Sequence, residues 1–423
     1  MAINTRGTIL VVLALAIAAR TAVYVADPKP DYLTGLTVYQ GEMARNIVDH
    51  GKWFVVNERA LSLTGRAMRR EHWHLVDPAN LEFGAVDKTG AFKSEILEVP
   101  GLAVPLAGLW WTVGSEQYVY IRWLQVALDT LMVLLVYWIS LELLGRRSAA
   151  LAAAALYAVW PGALLLAKTP SLDTWTGFFV ITSLALVLWA RRDGFPVRKL
   201  ILLGALIGIG VYFRPFIVLL PIAFALAVLK QTSWRRAVWV ALVPTLVAAL
   251  FIAPWTVRNF VDFNRFIPMR IGIGQALWEG LGETPNTFGA VNNDGATLEF
   301  VHARRPDLRY QTPAFDDYLL KKSLRAIAHH PAHYLELVLR RALYLIPCLL
   351  ALVWRKRFSL ERALLVATAV AVILPYVFLR MEDRFWLPAA FAYLIMLAGL
   401  ADAYIRELRT GDRRAGSFQR HAD

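Results

Sequence analysis

The stretch Asp31–Trp53, DYLTGLTVYQGEMARNIVDHGKW, follows one apolar segment and precedes a long series of others, yet carries Asp31, Glu42, Arg45, Asp49 and His50. A charge at the centre of a bilayer costs about 3 kcal/mol or more, so a segment this polar does not cross lipid. It is expected to lie on the membrane surface between spans, and the chemistry of the protein is expected there.

The composition around it is that of an integral membrane protein. Of 423 residues, 57% are hydrophobic and only 18% charged, well below the roughly one quarter usual in soluble domains, and the mean hydropathy is +0.47. Fifteen Trp and fifteen Tyr suit two interfacial belts, where amphipathic rings settle at headgroup level. The net charge of +13 does not signal nucleic acid, because the Lys and Arg cluster in short loops between apolar segments, which is a topology signal. The single Cys348 lies in an apolar run, so no intrachain disulfide forms.

A spanning helix needs about 20 mostly apolar residues. Windows of this kind fall near 8 to 26, 118 to 144, 148 to 167, 172 to 190, 236 to 255, 335 to 353, 362 to 379 and 385 to 405. Two shorter windows, 200 to 213 and 215 to 229, flank Arg214-Pro215. Basic residues precede and follow this pair, so both its ends read as cytoplasmic and a hairpin satisfies the sequence better than one long helix. The N-terminal segment resembles a signal peptide in its early Arg and apolar core, but the helix count favours an uncleaved anchor.

The expected fold is an all-α integral membrane protein, a single domain over 1–423 with about ten transmembrane helices and both termini cytoplasmic. Clusters at Arg146-Arg147, Arg191 to Lys199, Lys230 to Arg236, Arg355 to Arg362 and Arg406 to Arg414 then share one side. Segments 27–117 and 256–334 become large extracytoplasmic loops, the first with interfacial helices. The run Leu97 to Val113, interrupted by Pro100, Gly101 and Pro105, is expected to be interfacial or re-entrant. His72 and His74 are too few to imply a metal site; the sequence requires no cofactor and leaves a divalent metal open without supporting it.

Isolated ionisable groups at the outward helix mouths are unexplained by the topology rule. Asp173, after Pro170, is either a helix N-cap or a functional carboxylate, and Lys168 comes to the same place. Arg122 is either a snorkelling anchor or part of a site. Arg214 stands at a hairpin tip without a charged neighbour in sequence and calls for an anion. Arg258 and Arg384 sit similarly, although Glu382 and Asp383 are available to Arg384. Guanidinium forks at helix mouths fit a phosphate. Among the acids, Glu42, Asn46 and Asp49 share one helical face; Asp49 reads as solvated, while Glu42 sits in an apolar setting between Gly41 and Met43. A carboxylate beside an Arg-bound phosphate is what sugar transfer from a phosphate-linked donor requires.

Over nearly its whole length the chain resembles the type C glycosyltransferases, and more narrowly the protein mannosyltransferase and lipid A aminoarabinose transferase branch, family 39. The matching pieces, in order, are GEMARNIVDHGKWF, EVPGLAVPLAGLWWTVG, YIRWLQVALDTL, LAKTPSLDTWTGFF, GALIGIGVYFRP, APWTVRNFVDFNRFIP and RMEDRFWLPAAFAYLIMLAGL. The resemblance implies a catalytic carboxylate at the start of the first interfacial helix, a second at Asp173, and phosphate-binding basic groups near Lys93, Arg122 and Arg384. The chain departs from the pattern at Leu36 or Thr37, where the family has an acid. Either Glu42 or Asp31 takes that role, and Glu42 is favoured because it lies inside the matching segment.

The resulting expectation is an inverting glycosyltransferase of the inner (plasma) membrane with an extracytoplasmic site. It would take a sugar from a polyprenyl-phosphate donor in the membrane and pass it to a hydroxyl of a glycan, lipid or protein. The other readings are a lipid-linked glycan transporter, which would show internal repeats and midplane charges, and a non-catalytic assembly subunit of the same fold.

Overall fold

The structure is a computed structural model that describes residues 5–26, 40–56, 93–94, 96–167, 170–229, 231–310, 312–348, 359–382 and 384–419. The chain is built from helices, with one two-stranded antiparallel pairing among the described residues. Among the described residues six helices are long and apolar enough to cross a membrane. They are α1 (Thr5–Ala26), α4 (Val119–Leu144), α7 (Leu172–Arg192), α10 (Trp234–Phe263), α15 (Leu360–Phe378), and the run Leu387–Leu408, which is mostly α16 (Ala390–Gln419). The apolar window of α7 is 72% buried against 17% for α1 and 22% for α10, so α7 is central and the other two face lipid.

The remaining expected windows are shorter helices. The window at 148 to 167 is α5 (Arg147–Ala158) and α6 (Pro161–Leu166), broken because Pro161 lacks the N–H that would continue the ladder. The pair around Arg214-Pro215 is the expected hairpin. Helix α8 (Val197–Gly210) ends in a turn, Arg214 is extended with φ −145°, and Pro215 opens a 3-10 turn (Pro215–Leu219) leading into α9 (Leu220–Leu229). Both arms pack on α10. At Gly204, an added Cβ would stand 2.7–2.8 Å from Val247 and Pro244, so α8 and α10 approach as closely as small residues permit.

The basic clusters meet at one end of the bundle. Arg191 pairs with Glu361 at 2.5 Å, Arg146 with Asp402 at 3.3 Å and Lys199 with Asp193 at 2.5 Å, and Arg192 contacts Glu142. These contacts join the ends of α4, α7, α15 and α16. The opposite end carries the polar segments. Helix α2 (Glu42–His50) stops at Gly51 in the left-handed region, φ 62°, and leads into β1 (Phe54–Val56), which pairs with β2 (Lys93–Ser94). Helix α3 (Ala103–Val113) is 11 residues, about 16 Å, too short to cross. Gln40 ties these elements together: its amide donates to the Val99 carbonyl at 2.8 Å and its oxygen accepts from the N–H groups of Leu102 and Ala103. At Gly101 a Cβ would fall 2.1 Å from the Tyr212 carbonyl oxygen, so the start of α3 is pressed onto the Arg214 turn.

Two boundaries differ from the sequence expectation. Helix α10 continues to Phe263, ended by Asn264 in the left-handed region, past the apolar window expected to end at 255 and into the expected polar segment 256–334. That segment holds α11 (Ile273–Leu281), α12 (Asp294–His302) and α13 (Pro313–His329). Helix α14 (Pro331–Ala342) carries Arg340 and Arg341 inside the window expected to span from 335. Arg341 donates to the carbonyls of Gly280 at 2.6 Å and Val377 at 3.2 Å and pairs with Glu283 at 2.9 Å. Those partners place α14 level with the end of α15, because a buried guanidinium follows its acceptors.

Candidate active site

Helix α7 begins with a Ser171 N-cap, whose hydroxyl accepts from the Asp173 N–H at 3.1 Å. The cap role that the sequence left open for Asp173 is therefore filled by Ser171. The Asp173 side chain, 5% exposed, instead accepts from Arg214 Nη2 at 2.7 Å. Burial lowers the Arg214 pKa, but the fields of Asp173, Tyr376 and Glu98 together with the Asp173 hydrogen bond carry it above the usual value, so Arg214 stays charged. Lys168 lies outside the described residues.

Around this pair several buried donors have no protein acceptor among the described residues: Arg214 Nε, Thr174 Oγ1 and Trp175 Nε1. Buried polar atoms are nearly always hydrogen-bonded, so their concentration at one helix mouth marks a place for acceptor oxygens. Trp175 is held by stacking on Phe213, with ring centroids 5.3 Å apart. Phe385 lies under both Arg214 and Arg384, at 5.4 and 5.5 Å, and stacks on Tyr376 at 4.5 Å. Tyr376 lies in the fields of Arg214, Asp173, Arg270 and Arg384, and Glu98 acts on Arg214.

Of the three guanidiniums expected at one phosphate, Arg214 and Arg384 share the Phe385 ring, and Arg258 lies apart from them. It pairs with Asp262 one turn along α10 at 3.1 Å, lies 4.6 Å from the Trp255 ring centre and donates to the Trp53 carbonyl at 3.3 Å. An i,i+4 carboxylate neutralises it and turns it toward β1. The third basic group is Arg270, which pairs with Glu98 at 3.4 Å. Sequence reasoning missed it because it follows α10 in an irregular segment with no period to place it.

The other expected site residues are dispersed. Arg122 is 2% exposed, its guanidinium 3.7 Å from the Tyr24 ring centre; it is packed between α1 and α4 and does not snorkel to the surface. Arg384 also pairs with Glu382 at 2.8 Å. Glu42 is 1% exposed and contacts Arg45, which reaches on to Glu116 at 2.6 Å; Asn46 is buried on the same helix and Asp49 is exposed. The Glu42 and Asp173 carboxylates each have their own guanidinium partner. Asp31 and the side chain of Lys93 lie outside the described residues.

Beneath Asp173 the structure holds a charge pair that the apolar windows concealed. Arg20 of α1, fully buried, donates to Asp129 of α4 at 2.5 Å and to the Ala158 carbonyl at 2.8 Å, and Tyr157 donates to the other Asp129 oxygen at 3.0 Å. A cavity of about 20 Å³, lined by Asp129, Tyr157, Thr174 and Asp173, separates this network from the mouth of α7 and has room for about one water. Opposite charges standing within two apolar windows were the available signal.

A second cluster surrounds Arg380, which contacts Glu279 and pairs with Asp294 at 3.3 Å and Glu382 at 2.9 Å. Burial and then Asp294 push the Glu279 carboxyl from 4.5 up to about 9, against the lowering effect of Arg380. A carboxyl whose pKa rises on folding binds more protons in the folded state across that window, so its contribution to stability falls as pH increases from about 4.5 to about 9. Glu279→Gln is expected to flatten the decline of the thermal midpoint between pH 5 and 9; an unchanged slope would show that Glu279 does not hold the proton. Among the described residues no group of three or more His, Cys, Asp or Glu side chains is placed to hold a metal ion.

Residues 103–257 match a family model described as dolichyl-phosphate-mannose-protein mannosyltransferase, a segment that includes Asp173 and Arg214. No curated protein matches the chain by sequence. Among solved structures it is similar to the Archaeoglobus fulgidus oligosaccharyltransferase in complex with Zn and sulfate, with TM-score 0.55 and 15% identity, covering 93% of this chain and 49% of that one. It is also similar to the archaeal oligosaccharyltransferase AglB from Archaeoglobus fulgidus in complex with an inhibitory peptide and a dolichol-phosphate, with TM-score 0.53 and 14% identity, covering 96% and 51%. The Archaeoglobus fulgidus oligosaccharyltransferase tethered to an acceptor peptide containing the NVT sequon gives TM-score 0.57 and 13% identity, covering 94% and 50%. The chain spans about half the length of these structures, and at such identities the likeness is one of fold.

Proposed function

We propose, from the type C glycosyltransferase fold that this membrane-embedded chain has, that it transfers a sugar from a polyprenyl-phosphate donor to a hydroxyl acceptor at the mouth of α7. The observation that carries the reading is the set of buried donors around Asp173 without a protein acceptor, Arg214 Nε, Thr174 Oγ1 and Trp175 Nε1. A permanently charged guanidinium with a free N–H beside a carboxylate suits a phosphate leaving group next to a base.

In this reading the acceptor oxygen attacks the anomeric carbon, the bond from that carbon to the phosphate oxygen breaks, and the electron pair leaves on the phosphate. Arg214, with Arg270 and Arg384 nearby, stabilises the growing negative charge. The acceptor proton passes to a carboxylate, and a single displacement inverts the anomeric centre. Asp173 is the carboxylate at the mouth; Glu42 or Asp31 supplies the second. Lys93 keeps the donor-binding role that the family resemblance implies, whereas Arg122, packed on Tyr24 between α1 and α4, is assigned to helix packing and Arg258 to holding α10 against β1. The site faces away from the basic, cytoplasmic end, in the inner membrane.

Donor binding tests this directly. Binding of undecaprenyl phosphate to the purified protein in nanodiscs is expected to weaken by about 1.5 to 3 kcal/mol in Arg214→Ala, the worth of a hydrogen bond to a charged group. Unchanged affinity would remove Arg214 from the site.

A further inference from the structure

At the end of the bundle opposite Asp173, a groove of about 360 Å³ runs between α4, α15 and α16. Its walls are apolar, with Leu144, Pro347, Leu365, Leu397 and Leu400 among them, and its far rim holds Arg362, Asp402 and Arg406. Lipid alone would cover an apolar groove without demanding charge, so the rim is the informative part.

Arg362 is half-buried, and its guanidinium has no ion-pair or hydrogen-bond partner among the described residues. Its neighbour Glu361 is engaged by Arg191 at 2.5 Å. Asp402 is shared by Arg406 at 3.0 Å and Arg146 at 3.3 Å. Asp402 is thus taken up by two guanidiniums, and the part-buried Arg362 at the same rim is left to an external anion.

The dimensions select the anion. From Tyr393, where the groove begins, to Arg406 the helix rises about 20 Å, the depth of half a hydrocarbon core plus a headgroup layer. That is one leaflet's lipid, not a chain crossing the whole membrane. We propose that this groove is a specific site for an anionic glycerophospholipid of the leaflet on the basic side, with its phosphate on Arg362 and Arg406 and an acyl chain along Leu365, Leu397 and Leu400. The site is separate from the Arg214 cluster and independent of the transfer reaction proposed for it. Its chemistry is electrostatic selection of a headgroup by guanidinium groups, combined with burial of one apolar tail.

The test reads lipid retention and lipid-dependent stability. Protein purified in mild detergent would be examined by native mass spectrometry, then placed in nanodiscs of phosphatidylcholine with or without phosphatidylglycerol. Wild type is expected to retain phosphatidylglycerol in preference to phosphatidylcholine and to melt at higher temperature when phosphatidylglycerol is present. Arg362→Ala should reduce the preference about fivefold, the worth of one basic residue at an anionic surface. Leu397→Trp, at a position 54% exposed where a larger side chain fills the groove without disturbing the core, should remove retention of both lipids. Equal retention of the two lipids by wild type would overturn the proposal, as would unchanged preference in Arg362→Ala. Loss of a co-purifying polyprenyl phosphate in these variants would also overturn it, by assigning the groove to a different lipid.

Discussion

Asp173→Asn is expected to lower transfer by about two orders of magnitude or more, the usual loss when a positioned carboxylate base is removed, while leaving donor affinity equal or higher. The two effects separate because Asp173 has two tasks, that of the proposed base and that of partner to Arg214. Its carboxylate accepts from Arg214 Nη2 at 2.7 Å, and an amide in its place releases that guanidinium to a phosphate. A kcat that falls without a rise in donor KM is the signature of an interaction made in the transition state. The helix cap is untouched, since Ser171 and not Asp173 supplies it, and a thermal melt of the variant separates lost catalysis from the instability of an unpaired Arg214. The second carboxylate is resolved in the same assay: Glu42→Gln is expected to fall by about the same factor if Glu42 is the acid that replaces the family's missing one. Full activity in Glu42→Gln with loss in Asp31→Asn would assign the role to Asp31, and activity retained in all three variants would place the chemistry elsewhere.

Arg20→Met is expected to destabilise the protein by about 3 to 5 kcal/mol, the cost of leaving a buried charge without its partner. Arg20 is fully buried and Asp129 is 3% exposed, so the orphaned carboxylate cannot reach solvent. Tyr157 would still donate to it, but one phenol does not replace a guanidinium. The double variant Arg20→Met with Asp129→Asn should recover much of the loss, because two neutral groups no longer demand pairing. Unfolding of the four proteins in detergent measures the coupling as a double-mutant cycle. A single variant as stable as wild type would mean that water or lipid reaches Asp129.

The inner network and the candidate site are close enough to interact. The cavity of about 20 Å³ is lined by Asp129 and Tyr157 as well as by Asp173 and Thr174. The central position of α7, with its apolar window 72% buried, gives the candidate site a wall held by packing, as the proposed role of Asp173 requires.

The sequence by itself determined that this is a helical membrane protein, that Arg214-Pro215 is a turn, and that α3 is too short to cross. Each of those follows from local quantities: the length of an apolar run, the cost of charge in lipid, and a proline that cannot donate. It also determined that Asp173, Arg214 and Arg384 are notable, because an ionisable group at a helix mouth has no topological reason to be there. Only the tertiary structure decided how such groups pair. Ser171 took the cap and Asp173 went to Arg214; Asp262 claimed Arg258, and Arg270 arrived from an irregular segment. Arg20 and Asp129, separated by more than a hundred residues, became visible as a pair only when α1 packed against α4. Pairing of charges depends on which helices are neighbours and how they are rotated about their axes, and that is fixed by the packing of small residues such as Gly204 and Gly101 across whole interfaces, not by the residues adjacent in the chain.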